Sequence, residues 1–189
     1  MQTAQLNQRF ANEYLATLKN RDVPHERVYV IFSGVPGSGK TTLAVRLAND
    51  LKAQYIRHDD IRHLIRKSGF NVSDFTIAHI STIVIDTILQ QDKNKLIVID
   101  ASLDRSWPRF FEHAREQHAK PIVIRLDVPR SIVEARVSAR DKDDFGSVAK
   151  LDNFFEQFEN SKKHVQATMT LKPDYDYPSV VTRIRELVE

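Results

Sequence analysis

Short, continuous apolar runs alternate along this chain with longer stretches whose apolar residues recur every three to four positions. Residues 28–32 (VYVIF), 95–102 (KLIVIDAS) and 120–128 (KPIVIRLDV) have the length and composition of strands buried on both faces of a parallel sheet. Residues 53–59 (AQYIRHD) predict a further strand between the first two, and 169–174 (MTLKPD) a fifth. Helical spacing predicts helices over about 40–52, from Ile61 onward with Leu64 and Ile65 on one side, and over 74–91. Others are expected over 106–118, about 130–140, 150–167 and about 178–188. Ahead of them, Leu6, Phe10, Tyr14, Leu15 and Leu18 predict a helix over 4–19, expected to pack on the edge of the core. Strands and helices alternating at these lengths imply right-handed crossovers and a parallel sheet covered on both faces. The expectation is one three-layer α/β domain over 1–189, with a helical extension at 1–24 and a lid at about 136–150.

Composition narrows this only slightly. Absence of cysteine excludes disulfides and thiolate metal sites, and the seven histidines show no metal-ligand spacing. No apolar stretch approaches the ~20 residues of a membrane helix. The first fifteen residues, MQTAQLNQRFANEYL, lack the apolar core of a secretory signal, so a cytoplasmic protein without a membrane partner is expected. The net charge of +3 mildly favours an anionic ligand, but 28 bases against 25 acids are no nucleic-acid footprint by themselves.

The chemistry concentrates after the first strand. Gly34-Val35-Pro36-Gly37-Ser38-Gly39-Lys40-Thr41 matches the phosphate-loop pattern G-x-x-x-x-G-K-[ST] between a strand and a helix. Glycines let the backbone approach phosphate oxygens closely, and the following helix adds its positive end. Lys40 is placed to reach the outer phosphates and Thr41 to ligate Mg²⁺, while Thr42 reads more as local packing. Gly34, Pro36, Gly37, Ser38, Gly39, Lys40, Thr41 and Thr42 form the expected nucleotide seat.

A guanine-specific switch needs [NT]-K-x-D, and the nearest match, LKPD at 171–174, has Leu171 in the polar position. A motor would pair the acid closing its third strand with a glutamate, but Asp100 is followed by Ala101. Asp100 is still a candidate magnesium ligand through water. The second strand ends in Asp59-Asp60 at the sheet edge where ligands bind. Asp59 is therefore a candidate base for a substrate hydroxyl, Asp60 a candidate helix cap, and Arg62 a candidate anchor for a substrate anion. Arg66 shares the face of Arg62 within a basic cluster formed by Arg57, His58, Arg62, His63, Arg66 and Lys67. Arg136 and Arg140, also four apart, lead into the polar loop DKDDFGS and suit a lid that closes on a phosphoryl group.

Taken in order, GVPGSGKTTLA, RHDDIR, LIVIDAS and EARVSAR resemble the small P-loop kinases grouped around the polynucleotide 5′-hydroxyl kinase domain and the zeta-toxin-like kinases. The resemblance covers roughly residues 28–145. It implies a kinase-type P-loop NTPase fold with a five-stranded sheet in the order 2-3-1-4-5, and it leaves the N-terminal helix without a counterpart. It also implies Asp59 as the catalytic aspartate and Arg62 on the acceptor side. Arg140 would lie near the transferred phosphate and Arg136 against the adenine.

The resulting expectation is an ATP- and Mg²⁺-dependent kinase with a hydroxyl acceptor. Lys40, Asp59 and Arg140 carry catalysis, Thr41 and Asp100 the metal, and Asp59, Arg62 and Arg66 the substrate. The 5′-hydroxyl end of a nucleic acid is the leading acceptor. A small molecule (nucleotide sugar, metabolite or antibiotic) and a non-kinase nucleotide-binding module are the alternatives.

Overall fold

The computed structural model describes residues 2–18, 26–91, 96–139 and 148–188. Five strands, β1 (Val28–Ser33), β2 (Gln54–Arg57), β3 (Leu96–Ser102), β4 (Lys120–Leu126) and β5 (Met169–Leu171), form one parallel sheet. Their order is β2-β3-β1-β4-β5. The helices are α1 (Gln2–Leu15), α2 (Lys40–Asp50), α3 (His58–Lys67), α4 (Asp74–Gln91), α5 (Trp107–Glu116), α6 (Arg130–Ser138), α7 (Leu151–Lys162) and α8 (Tyr177–Val188). One-turn 3₁₀ segments occupy Leu103–Arg105 and Val148–Lys150.

The continuous apolar run of β1 is explained by its central position, since all six of its residues are buried. Val28, Val30 and Phe32 face a layer built from α2, α6 and α8, with Leu43, Leu47, Val133 and Ile184 among its buried residues. Tyr29 and Ile31 face the opposite layer, where Ile61, Ile65, Ile77, Ile80 and Val84 of α3 and α4 are buried. Strand alternation thus divides one strand between two cores. Apolar burial of this kind contributes about 25 cal/mol per Å² of surface removed from water.

Three elements differ from the sequence expectation. The second strand stops at Arg57, and His58, Asp59 and Asp60 open α3 rather than ending β2. Acids in a first helical turn face the positive end of the helix, which favours this arrangement over a longer strand. Asp60 consequently lies inside the helix and does not cap it; its carboxylate accepts from Arg57 Nη1 at 3.3 Å. The predicted helix over 150–167 closes at Lys162. Finally, α1 is not confined to the edge of the core. It packs over α3 and α4, burying Phe10, Ala11 and Tyr14 in the second core.

One irregularity positions the chemistry. Ile31 pairs with Ile99, but Phe32 pairs with Ser102, so Asp100 and Ala101 have no register partner on β1. On the other side Asp100 pairs in register with Arg57. The sheet therefore opens at its carboxyl edge beside Asp100, immediately next to the phosphate loop.

Candidate active site

Gly34, Gly37 and Gly39 all have positive φ, with values of 148°, 84° and 103°. Side chains are crowded as well as strained at two of these positions. A Cβ on Gly34 would meet Ser38 Oγ at 2.8 Å, and one on Gly37 would meet Val137 Cγ2 at 3.0 Å. Lys40 Nζ donates to the carbonyls of Gly34 at 2.7 Å and Val35 at 2.8 Å, which holds the ammonium over the loop. Ser38 Oγ is buried and has no hydrogen-bond partner among the described residues. Such an orphaned hydroxyl inside a glycine-rich turn suits an incoming oxygen ligand.

Beyond the loop lies a cavity of about 670 Å³, lined by Pro36, Gly37, Gly39, Lys40, Thr41 and Thr42 on one side. Asp59, Arg62 and Asp100 line it as well, so residues from three separate segments converge. Thr42, which reads in sequence as packing, is exposed at this cavity instead. Thr41 Oγ1 donates to Asp100 Oδ1 at 3.2 Å, and the Tyr55 hydroxyl donates to Asp100 Oδ2 at 2.8 Å. Burial pushes the Asp100 carboxyl above the usual carboxylate range, against the hydrogen bonds from Tyr55 and Thr41 that pull it down.

The opposite wall is a network of ions. Arg62 reaches Asp59 with Nη1 and donates from Nη2 to Asp74 at 2.7 Å. Arg105 Nη1 donates to the other oxygen of Asp74 at 2.6 Å. Burial opposes ionisation of Asp74, but the two guanidiniums prevail and hold its carboxyl below the ordinary range. Beside them Arg109 Nη2 donates to His79 Nδ1 at 3.0 Å, and its guanidinium lies 4.3 Å over the ring of Phe75. Arg109 Nη1 is buried without a partner among the described residues. Phe75 is 70% exposed. An unsatisfied guanidinium edge beside an exposed ring can receive an anion or a carbonyl together with a flat group.

The sequence-predicted residues divide clearly. The phosphate loop, Asp59, Arg62 and Asp100 come together. Arg136 reaches the loop from α6 and donates to Gly37 O at 3.2 Å. Arg66 does not join them; it is exposed on α3, and neither it nor His63 nor Lys67 lines the cavity. A helix turns 100° per residue, so Arg66 lies about 40° round α3 from Arg62, and the side-chain ion pairs draw Arg62 alone inward. Arg140 lies outside the described residues, as does much of the expected lid; Arg136 ends near the close of α6, and Val148–Lys150 precedes α7. Asp74, Phe75, Arg105 and Arg109 were missed. Arg105 and Arg109 are four apart just beyond Asp100, the same spacing that drew attention to Arg62 and Arg66.

Comparison with known proteins places this geometry. A family model described as an AAA domain (AAA_33) matches residues 29–166. The chain belongs to that family. The match covers four of the five strands (β1 from its second residue), the phosphate loop and α7; α1 precedes it, and β5 and α8 follow it. Cytidylate kinases from several strains of Saccharolobus islandicus are 30% identical to this AAA domain chain over 120 residues, 60% of its length. The chain spans 59% of the length of those relatives. Among solved structures, a sugar kinase from Janibacter sp. HTCC2649 superposes with a TM-score of 0.58 at 19% identity, covering 85% of this chain and 93% of that one. A gluconokinase from Sinorhizobium meliloti 1021 gives 0.58 at 17% identity, with 87% and 95% covered. The APS kinase CysC of Mycobacterium tuberculosis, in complex with AMPPNP and APS, gives 0.54 at 16% identity, with 87% and 98% covered. These likenesses establish the P-loop kinase fold of the sheet and its helices. Among the described residues no helix is long and apolar enough to cross a membrane.

Proposed function

We propose that this chain is an ATP- and Mg²⁺-dependent kinase that transfers the γ-phosphate to a hydroxyl group on a small anionic acceptor. The observation that carries this reading is convergence: Lys40, Thr41, Asp100, Asp59 and Arg62 line one cavity, with a phosphate loop on one wall and guanidiniums on the other. Loop amides and Lys40 hold the phosphates, and Arg136 braces the loop from α6. Asp59 accepts the proton of the acceptor hydroxyl as that oxygen attacks phosphorus, and Arg62 orients the acceptor's anionic group. Arg140 is proposed to close on the transferred phosphoryl group.

The adjacent hydroxyl and carboxylate of Thr41 and Asp100 fit Mg²⁺, a hard cation that takes few protein oxygens and keeps several waters. Among the described residues no group of three His, Asp or Glu side chains gathers elsewhere to hold a metal. The ion, when bound, neutralises charge on the phosphates; the protein supplies the position.

The preference for a small acceptor is supported by the fate of the basic cluster, of which only Arg57, His58 and Arg62 line the cavity. The similarity to cytidylate kinases supports a nucleotide-sized acceptor. A second reading, the 5′-hydroxyl end of a nucleic acid, is favoured by exposed Phe75 under Arg109, a surface on which a terminal base could stack.

Labelled ATP supplied with nucleoside monophosphates, sugar acids, other small metabolites and 5′-hydroxyl oligonucleotides, each at 50 and 200 mM salt, tests these readings. Transfer to a hydroxyl of a small acceptor with little salt dependence is expected; transfer to the phosphate of a nucleoside monophosphate would keep the kinase reading but remove the hydroxyl acceptor and with it the base role of Asp59. Transfer to oligonucleotides that falls steeply with salt would move the assignment to nucleic acid. No acceptor-stimulated ADP release from any of them would sink the kinase reading and leave a nucleotide-binding module.

A further inference from the structure

Asp104 lies in the 3₁₀ turn just after β3 and is 8% exposed, yet it takes no part in the chemistry above. Its carboxylate receives four hydrogen bonds. Ser33 Oγ and Ser161 Oγ donate to Oδ1, each at 2.7 Å, while the Gly34 amide and Ser102 Oγ donate to Oδ2, each at 2.9 Å. The donors come from the end of β1, the first residue of the phosphate loop, the end of β3 and the last turn of α7. All four are uncharged.

Both polar groups of the Gly34 backbone are therefore fixed. Its N–H is held from beneath by Asp104, and its carbonyl receives Lys40 Nζ at 2.7 Å. Gly34 has φ 148°, and this is where the chain leaves the sheet to begin the cradle. The same carboxylate ties in α7 through Ser161, and Phe154 of α7 lines the cavity with Arg105 lying 5.5 Å over its ring. Charge-assisted bonds of this kind are stronger than neutral ones, and a buried donor left without its acceptor carries the full cost of desolvation.

We propose that Asp104 is a positioning residue for nucleotide binding: it sets the angle at which the phosphate loop leaves β1 and locks that angle to α7. The inference rests on the loop being the nucleotide's seat. It goes further by making ATP affinity depend on a residue that touches no ATP atom, and on a serine 57 positions away in sequence.

Three variants test it: Asp104→Asn, Ser102→Ala and Ser161→Ala. Each is compared with the wild type by titration with a fluorescent ATP analogue, by KM for ATP and for the acceptor found above, and by urea unfolding. The serine variants each remove one donor to the Asp104 carboxylate and should weaken ATP binding about 3- to 10-fold, the range a single hydrogen bond supplies. Asp104→Asn turns an acceptor into a donor against two of its partners and should weaken binding more than either. KM for ATP should rise while KM for the acceptor stays put.

A purely structural role predicts the opposite pattern, with a lower urea midpoint, less active protein and unchanged ATP affinity; that outcome overturns the proposal. If Asp104→Asn does not fold, the serine variants decide alone, and ATP affinities within twofold of wild type overturn it. Wild-type protein that does not bind the analogue at all fails the nucleotide reading itself, and the proposal falls with it.

Discussion

Thr41 and Asp100 meet at the open edge of the sheet: the hydroxyl on the first turn of α2 donates to the carboxylate near the end of β3 at 3.2 Å. The contact spans two elements 59 residues apart, and it exists because the β1–β3 register skips Asp100. Asp100→Ala should leave the fold intact and raise the Mg²⁺ concentration required for half-maximal activity by ~10- to 100-fold, the usual scale for losing one group at such a site. Activity measured across a Mg²⁺ titration at saturating ATP checks this. An unchanged requirement would remove Asp100 from the metal site.

Asp59 stands at the first turn of α3, held by Arg62 and facing the cavity. Asp59→Asn should bind ATP like the wild type and transfer phosphate ~10²- to 10⁴-fold more slowly, the contribution expected of a general base. Single-turnover transfer alongside nucleotide titration separates the two effects. Normal turnover in the variant would show that the acceptor is attacked without this base.

Asp74 holds Arg62 and Arg105 together on one wall of the cavity, one guanidinium on each carboxylate oxygen. Asp74→Asn keeps the shape but removes the charge that holds the two cations close together. KM for the acceptor should rise by roughly 3- to 30-fold while KM for ATP stays constant, in keeping with hydrogen bonds to charged groups of about 1.5–3 kcal/mol that are only partly lost. Steady-state kinetics in both substrates is the measurement. A rise in KM for ATP of the same size would place Asp74 in the nucleotide site.

His58 introduces a pH dependence of stability. Burial first, and then the nearby Arg62 guanidinium, lower its pKa from about 6.5 to about 4. The unfolded chain binds a proton through this interval while the folded chain does not, so protonation favours unfolding. Stability should fall as pH drops from about 6.5 to about 4, by on the order of 3 kcal/mol, and should level off below that. The difference between wild type and His58→Gln in urea midpoints from pH 7 to pH 4 isolates the effect. Parallel curves would show that His58 titrates normally.

Gly34→Ala would place a methyl group 2.8 Å from Ser38 Oγ and 3.1 Å from Leu126 O, at a backbone conformation that side chains resist. Destabilisation of more than about 1 kcal/mol is expected, together with loss of nucleotide binding. Urea unfolding and a fluorescent-nucleotide titration read the two effects separately.

The fold was legible because its signals are local. Apolar runs of strand length and the glycine loop identify themselves without knowledge of their neighbours, and the boundaries of α4 at Asp74 and Gln91 follow directly from spacing. The lining of the cavity was legible where the motif fixes a residue's place, as it does for Lys40 and Thr41. It was not legible where function depends on which helix face turns inward. Arg62 and Arg66 are chemically alike, but the carboxylates of Asp59 and Asp74 draw in only the first. Asp74 and Arg105, 31 residues apart, could not be paired without the crossover that brings α4 beside the end of β3. Asp104 reads in sequence as one more acid in a polar turn, and its partners are scattered from Ser33 to Ser161.

The hydroxyl of Tyr14 on α1 accepts the N–H of Arg57 at 2.8 Å, and burial pushes its pKa up to about 12. That amide closes β2 two residues before Asp59, whereas the family match begins only at residue 29. The helix outside the shared family region thus works as a splint on the end of β2, and a chain shortened to residues 29–166 would lose the brace two residues before the proposed base.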